Sequence, residues 1–134
     1  MKSALKIKNF DFEYTGSNLT EKDAIENGFL QLAGEVLLSR INNKKIFGVY
    51  IMGYKFGSII YENGTTEGVN NVGTQDFGHW IIDMELNTMS IKWKNAWFDT
   101  ITHAYEVNDT IEFYDVDTGK WRTTFKMFEN LKEE

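Results

Sequence analysis

From Lys44 to Phe128 the chain keeps a side-chain period of two, interrupted only by short polar turns. That pattern restricts the fold to antiparallel strands joined by tight connections. The runs Lys45–Ile51, Lys55–Glu62 and Thr65–Asn70 come first. Gly73–Trp97 holds two more, and Phe98–Val107, Ile111–Val116 and Lys120–Phe128 complete the series. The fold class expected is mainly β, an antiparallel up-and-down meander of seven to eight strands closed or nearly closed into a barrel. Closure removes the exposed edges that an open meander would leave.

Within Gly73–Trp97 the polar break at Glu85–Thr88 marks a hairpin. Pairing Met84 with Met89 sets Ile82 opposite Ile91 and Trp80 opposite Trp93, which puts the large apolar residues on one face. A three-residue turn at Asn108–Thr110 would pair Val107 with Ile111, Tyr105 with Phe113 and His103 with Asp115. The turn at Asp117–Gly119 would add Asp115 with Trp121, Phe113 with Thr123 and Ile111 with Phe125. One apolar face would then carry Ile101, Tyr105, Val107, Ile111, Phe113, Trp121, Phe125 and Met127, with Arg122 on the other. His103 and Asp115 interrupt that face as a polar cross-strand pair. Burying such a pair costs several kcal/mol unless it is hydrogen-bonded. They are therefore either the polar anchors of a cavity or a solvated pair at the rim.

Before Lys44 the period changes. Thr20 followed by Glu21 and Asp23 has the form of a helix N-cap with acids in the first turn. Gly28 and Gly34 divide the apolar positions that follow into two short helices, about 21–27 and 33–42, with Asn42-Asn43 as the stop. Lys6–Tyr14 reads as a further strand or arm at the N-terminus, within residues 1–18. A single domain spanning 1–134 is expected, since a chain of 134 residues has room for one core.

Composition narrows the function. A formal net charge of −6 is a poor match for nucleic acid or for an anionic membrane surface, so neither is expected as a partner. The chain has no cysteine and two histidines, which leaves no thiolate chemistry and no transition-metal spacing. No cofactor is expected. Asp115–Gly119 opens like a calcium loop but lacks the later oxygen ligands, so a plain turn is the reading. No run of about 20 apolar residues is present to span a membrane, and the N-terminus lacks the apolar core of a leader peptide. A cytoplasmic location is the default expectation, with an exported mature form as the alternative.

Several short motifs carry a resemblance. They are Leu32-Ala33-Gly34-Glu35, Asn42–Phe47, Tyr61-Glu62-Asn63-Gly64-Thr65, Gly78-His79-Trp80, Ile91-Lys92-Trp93 and Asn108-Asp109-Thr110-Ile111. In this order, across about Leu32 to Phe125, they resemble small lipocalin-like bacterial domains of the calycin type, a largely uncharacterised group. The resemblance implies a lipocalin-like β-barrel that holds a small hydrophobic or aromatic molecule without catalysis. Members often carry a cysteine pair near the positions of Ile91 and Ile101, which this chain lacks.

Tyr61, Trp80, Trp93, His103, Tyr105, Asp115 and Trp121 are the candidate ligand-binding residues. Trp97, in a loop, is a candidate for the binding rim. Two other functions compete. One is a lyase or isomerase acting on an aromatic acid, with His103 or Asp115 as acid or base and Tyr61 or Tyr105 as donor. It requires an inward cation, and Arg122 and Arg40 are not expected to face inward. The other is an acidic, immunity-type interaction module using the edge at Phe10–Tyr14, the same N-terminal strand through which a homodimer could form.

Overall fold

A computed structural model of the chain describes residues 16–131. The expected N-terminal strand Lys6–Tyr14, and the dimer or partner edge assigned to it, lies outside the described residues.

The first helix, α1 (Glu21–Glu26), opens on a reciprocal cap. The Asp23 N–H donates to the Thr20 hydroxyl at 3.2 Å, and the Thr20 N–H donates to the Asp23 carboxylate at 2.9 Å. Two otherwise unpaired donors are satisfied at once. These hydrogen bonds with Thr20 hold the Asp23 carboxyl below its ordinary value of 3.8. A helix of six residues is too short to stand alone, so α1 depends on the sheet beneath it. The two-residue strand β1 (Leu30–Gln31) and the helix α2 (Gly34–Ile41) follow. The Gly34 N–H donates to Asn87 Oδ1 at 2.8 Å, which pins the start of α2 to a distant loop.

Eight strands then form the body: β2 (Lys44–Tyr50), β3 (Tyr54–Ile60), β4 (Thr65–Asn70), β5 (Gln75–Asp83), β6 (Thr88–Trp93), β7 (Thr100–Val107), β8 (Thr110–Asp115) and β9 (Trp121–Asn130). Each pairs antiparallel with its neighbour in the chain, and β2 pairs with β9 to close the circle. The result is the up-and-down barrel that the periodicity implied. β1 is an extra strand beside β7, occupying the edge beyond the end of β6.

One face of each strand lines the interior. Ile46, Phe56, Ile60, Ile82, Met89, Ala104, Ile111, Phe113 and Phe125 form the buried core together with Leu32, Leu37 and Ile41. The last three come from the α2 region, so the helix plugs one end of the barrel. Arg40 on α2 pairs with Glu106 on β7 and lies over the Phe128 ring at 5.6 Å, fastening the plug. No helix among the described residues is long and apolar enough to cross a membrane.

The registers differ from expectation throughout two hairpins and at one end of a third. In β5–β6, Ile82 faces Met89, Trp80 faces Ile91 and Gly78 faces Trp93. The loop is Met84–Asn87, two residues earlier in register than Met84 opposite Met89. A slip of two preserves side-chain direction, so Trp80, Ile82, Met89, Ile91 and Trp93 still share a face. In β7–β8 the turn has two residues rather than three, and Val107 faces Thr110. A slip of one reverses direction. His103 therefore faces Tyr114, Asp115 faces Thr102 and Tyr105 faces Glu112; His103 and Asp115 are not a cross-strand pair.

The single apolar face is likewise corrected to two. Ala104, Ile111, Phe113 and Phe125 point inward, while Tyr105, Tyr114 and Trp121 pack outside around Ala24 of α1. The inward parity of Ile111 and Phe113 stands as expected; in β7, Ala104 and Tyr105 are both buried, and the small Ala104 rather than the large Tyr105 faces the core. The β8–β9 pairs Ile111–Phe125 and Phe113–Thr123 stand as expected, but Trp121 pairs with Tyr114 instead of Asp115 because the register shifts there.

Candidate functional site

The end of the barrel opposite α2 carries the connections β2–β3, β4–β5, β6–β7 and β8–β9. Below them lies a cavity of about 320 Å³. Its walls are mainly aromatic: Tyr50, Phe56, Trp93, Trp97 and Phe125, with Ile60 and Ile91 deeper in. A second hollow, about 940 Å³, lies over β4 to β6 beside Tyr61, Glu67, His79 and Lys92. Only the first reaches the apolar interior, and it is the candidate site. Cavities of a few hundred Å³ with mostly apolar walls and few polar groups are the usual setting for small-molecule binding.

The mouth is apolar as well. Met52, Val72 and Phe98 sit on three different connections and are 81%, 65% and 66% exposed. Met52 belongs to a 3₁₀ turn at Ile51–Gly53 and takes a positive φ of 69°, a conformation uncommon for a side chain of its size. Exposed apolar side chains gathered at a cavity entrance differ from the scattered ones found on any surface.

Trp97 is held in the wall by an arrangement that begins at Asp76. The Asp76 side chain is fully buried. Its carboxylate accepts from the N–H groups of Ala96 (2.7 Å), Trp97 (2.9 Å) and Asn95 (3.0 Å) on the β6–β7 connection, and from its neighbour Phe77 (2.8 Å). Burial alone would raise its pKa, but these backbone donors outweigh that and hold the carboxyl below its ordinary 3.8. The loop is thereby folded back over the barrel, and the Trp97 ring meets Trp93 at 4.6 Å and Tyr50 at 5.6 Å. Space for the indole exists because residue 68 is glycine. A Cβ there would lie 2.6 Å from the Trp97 ring.

Polar groups interrupt the mainly apolar wall, among them Tyr50, Ser58, Asn70, Arg122 and Thr123. The Asn70 amide donates to the Tyr50 hydroxyl at 3.0 Å, while its own carbonyl oxygen accepts from the N–H groups of Val72 and Thr74. Burial raises the Tyr50 pKa, so the hydroxyl keeps its proton. Arg122 also lines the cavity, contrary to the outward direction expected for it. The register shift between Phe113 and Tyr114 leaves Arg122 as the extra residue of a bulge between Trp121 and Thr123. A bulge redirects the side chain it adds. Arg122 Nε and Trp97 Nε1 are both buried without a hydrogen-bond partner.

The residues singled out from the sequence are dispersed. Trp93 lines the cavity. Trp80 lies inside the barrel toward the plugged end, its indole N–H donating to the Tyr61 and Thr65 carbonyls. Tyr61 borders the second hollow, where burial and the nearby Glu67 push its pKa up to about 12. His103 and Tyr105 lie outside the barrel and both bond Glu21 of α1, at 2.9 Å and 2.7 Å. Burial, then Glu21, raises the Tyr105 pKa. Trp121 packs in the same outer cluster and donates to the Thr124 hydroxyl. Asp115 serves its turn, accepting from the Asp117 and Thr118 N–H groups. Tyr50, Phe56, Asn70, Arg122 and Phe125 were not singled out for the site. Their membership depends on barrel closure and on one bulge, neither of which leaves a local mark in the sequence.

Among the described residues no cluster of three His, Asp or Glu could hold a metal ion. No family model matches the chain, and neither a curated protein nor a solved structure matches it.

Proposed function

We propose that this chain is a lipocalin-like, non-enzymatic binding protein that takes a small, mainly apolar molecule through the open end of its barrel. The observation that carries the reading is the aromatic cavity of about 320 Å³ beneath an apolar mouth. A barrel of eight strands is just wide enough either to be filled by its own side chains or to hold one small ligand. Here the α2 half is filled and the other half is not.

The competing lyase or isomerase reading gains the inward cation it lacked, Arg122. It loses its acid and base, because His103 is engaged by Glu21 outside the barrel and Asp115 is engaged by its own turn. The described lining of the cavity contains no carboxylate and no histidine. Binding therefore fits the wall better than catalysis does.

Titration with the neutral fluorophore N-phenyl-1-naphthylamine tests the proposal. Saturable enhancement of the probe with quenching of Trp93 and Trp97 is expected. An unchanged spectrum at high micromolar probe would overturn it.

A further inference from the structure

Building on that reading, the geometry points to a specific ligand class: we infer that the cavity takes an apolar monocarboxylate, its headgroup held by Arg122 and the Trp97 indole N–H. The inference rests on an imbalance of donors and acceptors. Arg122 Nε and Trp97 Nε1 are buried on or beside the same cavity wall with no acceptor supplied to either. Buried donors are ordinarily paired, and each one left unpaired weakens the fold. The Tyr50 hydroxyl, already an acceptor from Asn70, has its proton left to donate. Three residues with a donor to offer thus share a cavity lining that contains one cation and no anion.

Arg122 is close enough to Asp115 to help lower its pKa, after the hydrogen bonds from Thr118 and Asp117. The Asp115 Oδ2 already accepts from the Asp117 and Thr118 N–H groups and from the Thr118 hydroxyl. No ion pair joins Arg122 to another described residue. The guanidinium thus lacks a built-in partner, and its planar fork matches a carboxylate well.

The rest of the wall excludes other classes of anion. A dianionic phosphate would need more than one cation, and the described lining has only Arg122. A highly polar acid would leave the faces of Phe56, Trp93 and Phe125 unmatched. The body of the ligand is therefore aromatic or short-chain aliphatic, with one negative end.

The test compares 3-phenylpropanoate with 3-phenylpropanamide, two molecules of one shape, by displacement of N-phenyl-1-naphthylamine from the full chain. The wild type should prefer the acid by about tenfold or more, the range of one charge-assisted hydrogen bond in a desolvated site. Arg122→Gln should reduce that ratio to near one. Trp97→Phe, which keeps the aromatic surface and removes the donor, should lower acid affinity by a smaller factor, about threefold. Equal binding of acid and amide by the wild type would overturn the headgroup assignment while the cavity reading stands. So would an acid preference that survives in Arg122→Gln. Failure of the neutral probe to bind at all would overturn both. The wild-type ratio decides the question even if a variant fails to fold.

Discussion

Asp76 shows how much one residue can organise. It contributes no surface to the cavity, yet it accepts from four backbone donors and sets the loop that carries Trp97. Asp76→Asn replaces one acceptor oxygen with an NH₂ group aimed at donors. At neutral pH it should destabilise the protein by about 3 kcal/mol, the scale of losing charge-assisted bonds and leaving buried amides unpaired. The pH dependence follows from the depressed folded pKa. The contribution of Asp76 is complete above its ordinary 3.8 and is lost as pH falls through the lower folded value. Urea unfolding from pH 7 down to about 2.5 should show a steeper acid decline in the wild type than in Asp76→Asn. An equally steep decline in both would show that other carboxylates govern acid stability. Nothing near Asp76 in the sequence announces this role, because three of its four partners are backbone groups 19 to 21 residues away.

At the scale of elements, α1 was legible and its purpose was not. The Thr20 cap and the acidic first turn stand in the sequence, and the helix begins where they place it. What it covers could not be read, because Tyr105 looks like an interior residue until the β7–β8 turn is known to have two residues. The Glu21 carboxylate bonds His103 and Tyr105, and the Glu21 N–H donates to the Gly119 carbonyl at 2.7 Å. Helix and sheet are thus tied from both sides. Thr20→Ala should cost about 1 kcal/mol, the ordinary value of an N-cap. Hydrogen exchange should accelerate through Glu21–Glu26 and the facing amides of β7 while the core strands β3 and β4 stay protected. Uniform acceleration throughout the barrel would mean that α1 is inseparable from the global unfolding unit.

The whole molecule depends on a seam. Strands β2 and β9 meet only when all the intervening hairpins have formed, and their register shifts between Phe47 and Gly48. A Cβ on residue 48 would lie 1.9 Å from the Thr124 carbonyl oxygen, a distance that no rotamer relieves. Glycine there lets the two strands approach closely enough to close the barrel. Gly48→Ala should therefore cost about 3 kcal/mol, near the upper end for overpacking, because backbone and not a flexible side chain must move. Differential scanning calorimetry would measure the fall in Tm together with the enthalpy. A Tm within about 2 °C of the wild type would show that the seam relaxes at little cost.

The linear order of residues determined the direction of the barrel strands β2 to β9, the two short helices, and the pairing of each barrel strand with its chain neighbour, but not the extra strand β1. These follow from periods of two and of 3.6 and from turn chemistry, all of which act over a few residues. Register in β7–β8, the inward aim of Arg122 and the joining of β2 to β9 were decided by tertiary structure. In β7 the adjacent residues Ala104 and Tyr105 are both buried, so burial does not choose between the two parities and the length of the turn to β8 selects one. The cavity belongs to the same category. It exists because α2 plugs one end, Asp76 folds a loop over the other and a bulge turns one arginine inward, and each of those contacts links residues far apart in the chain.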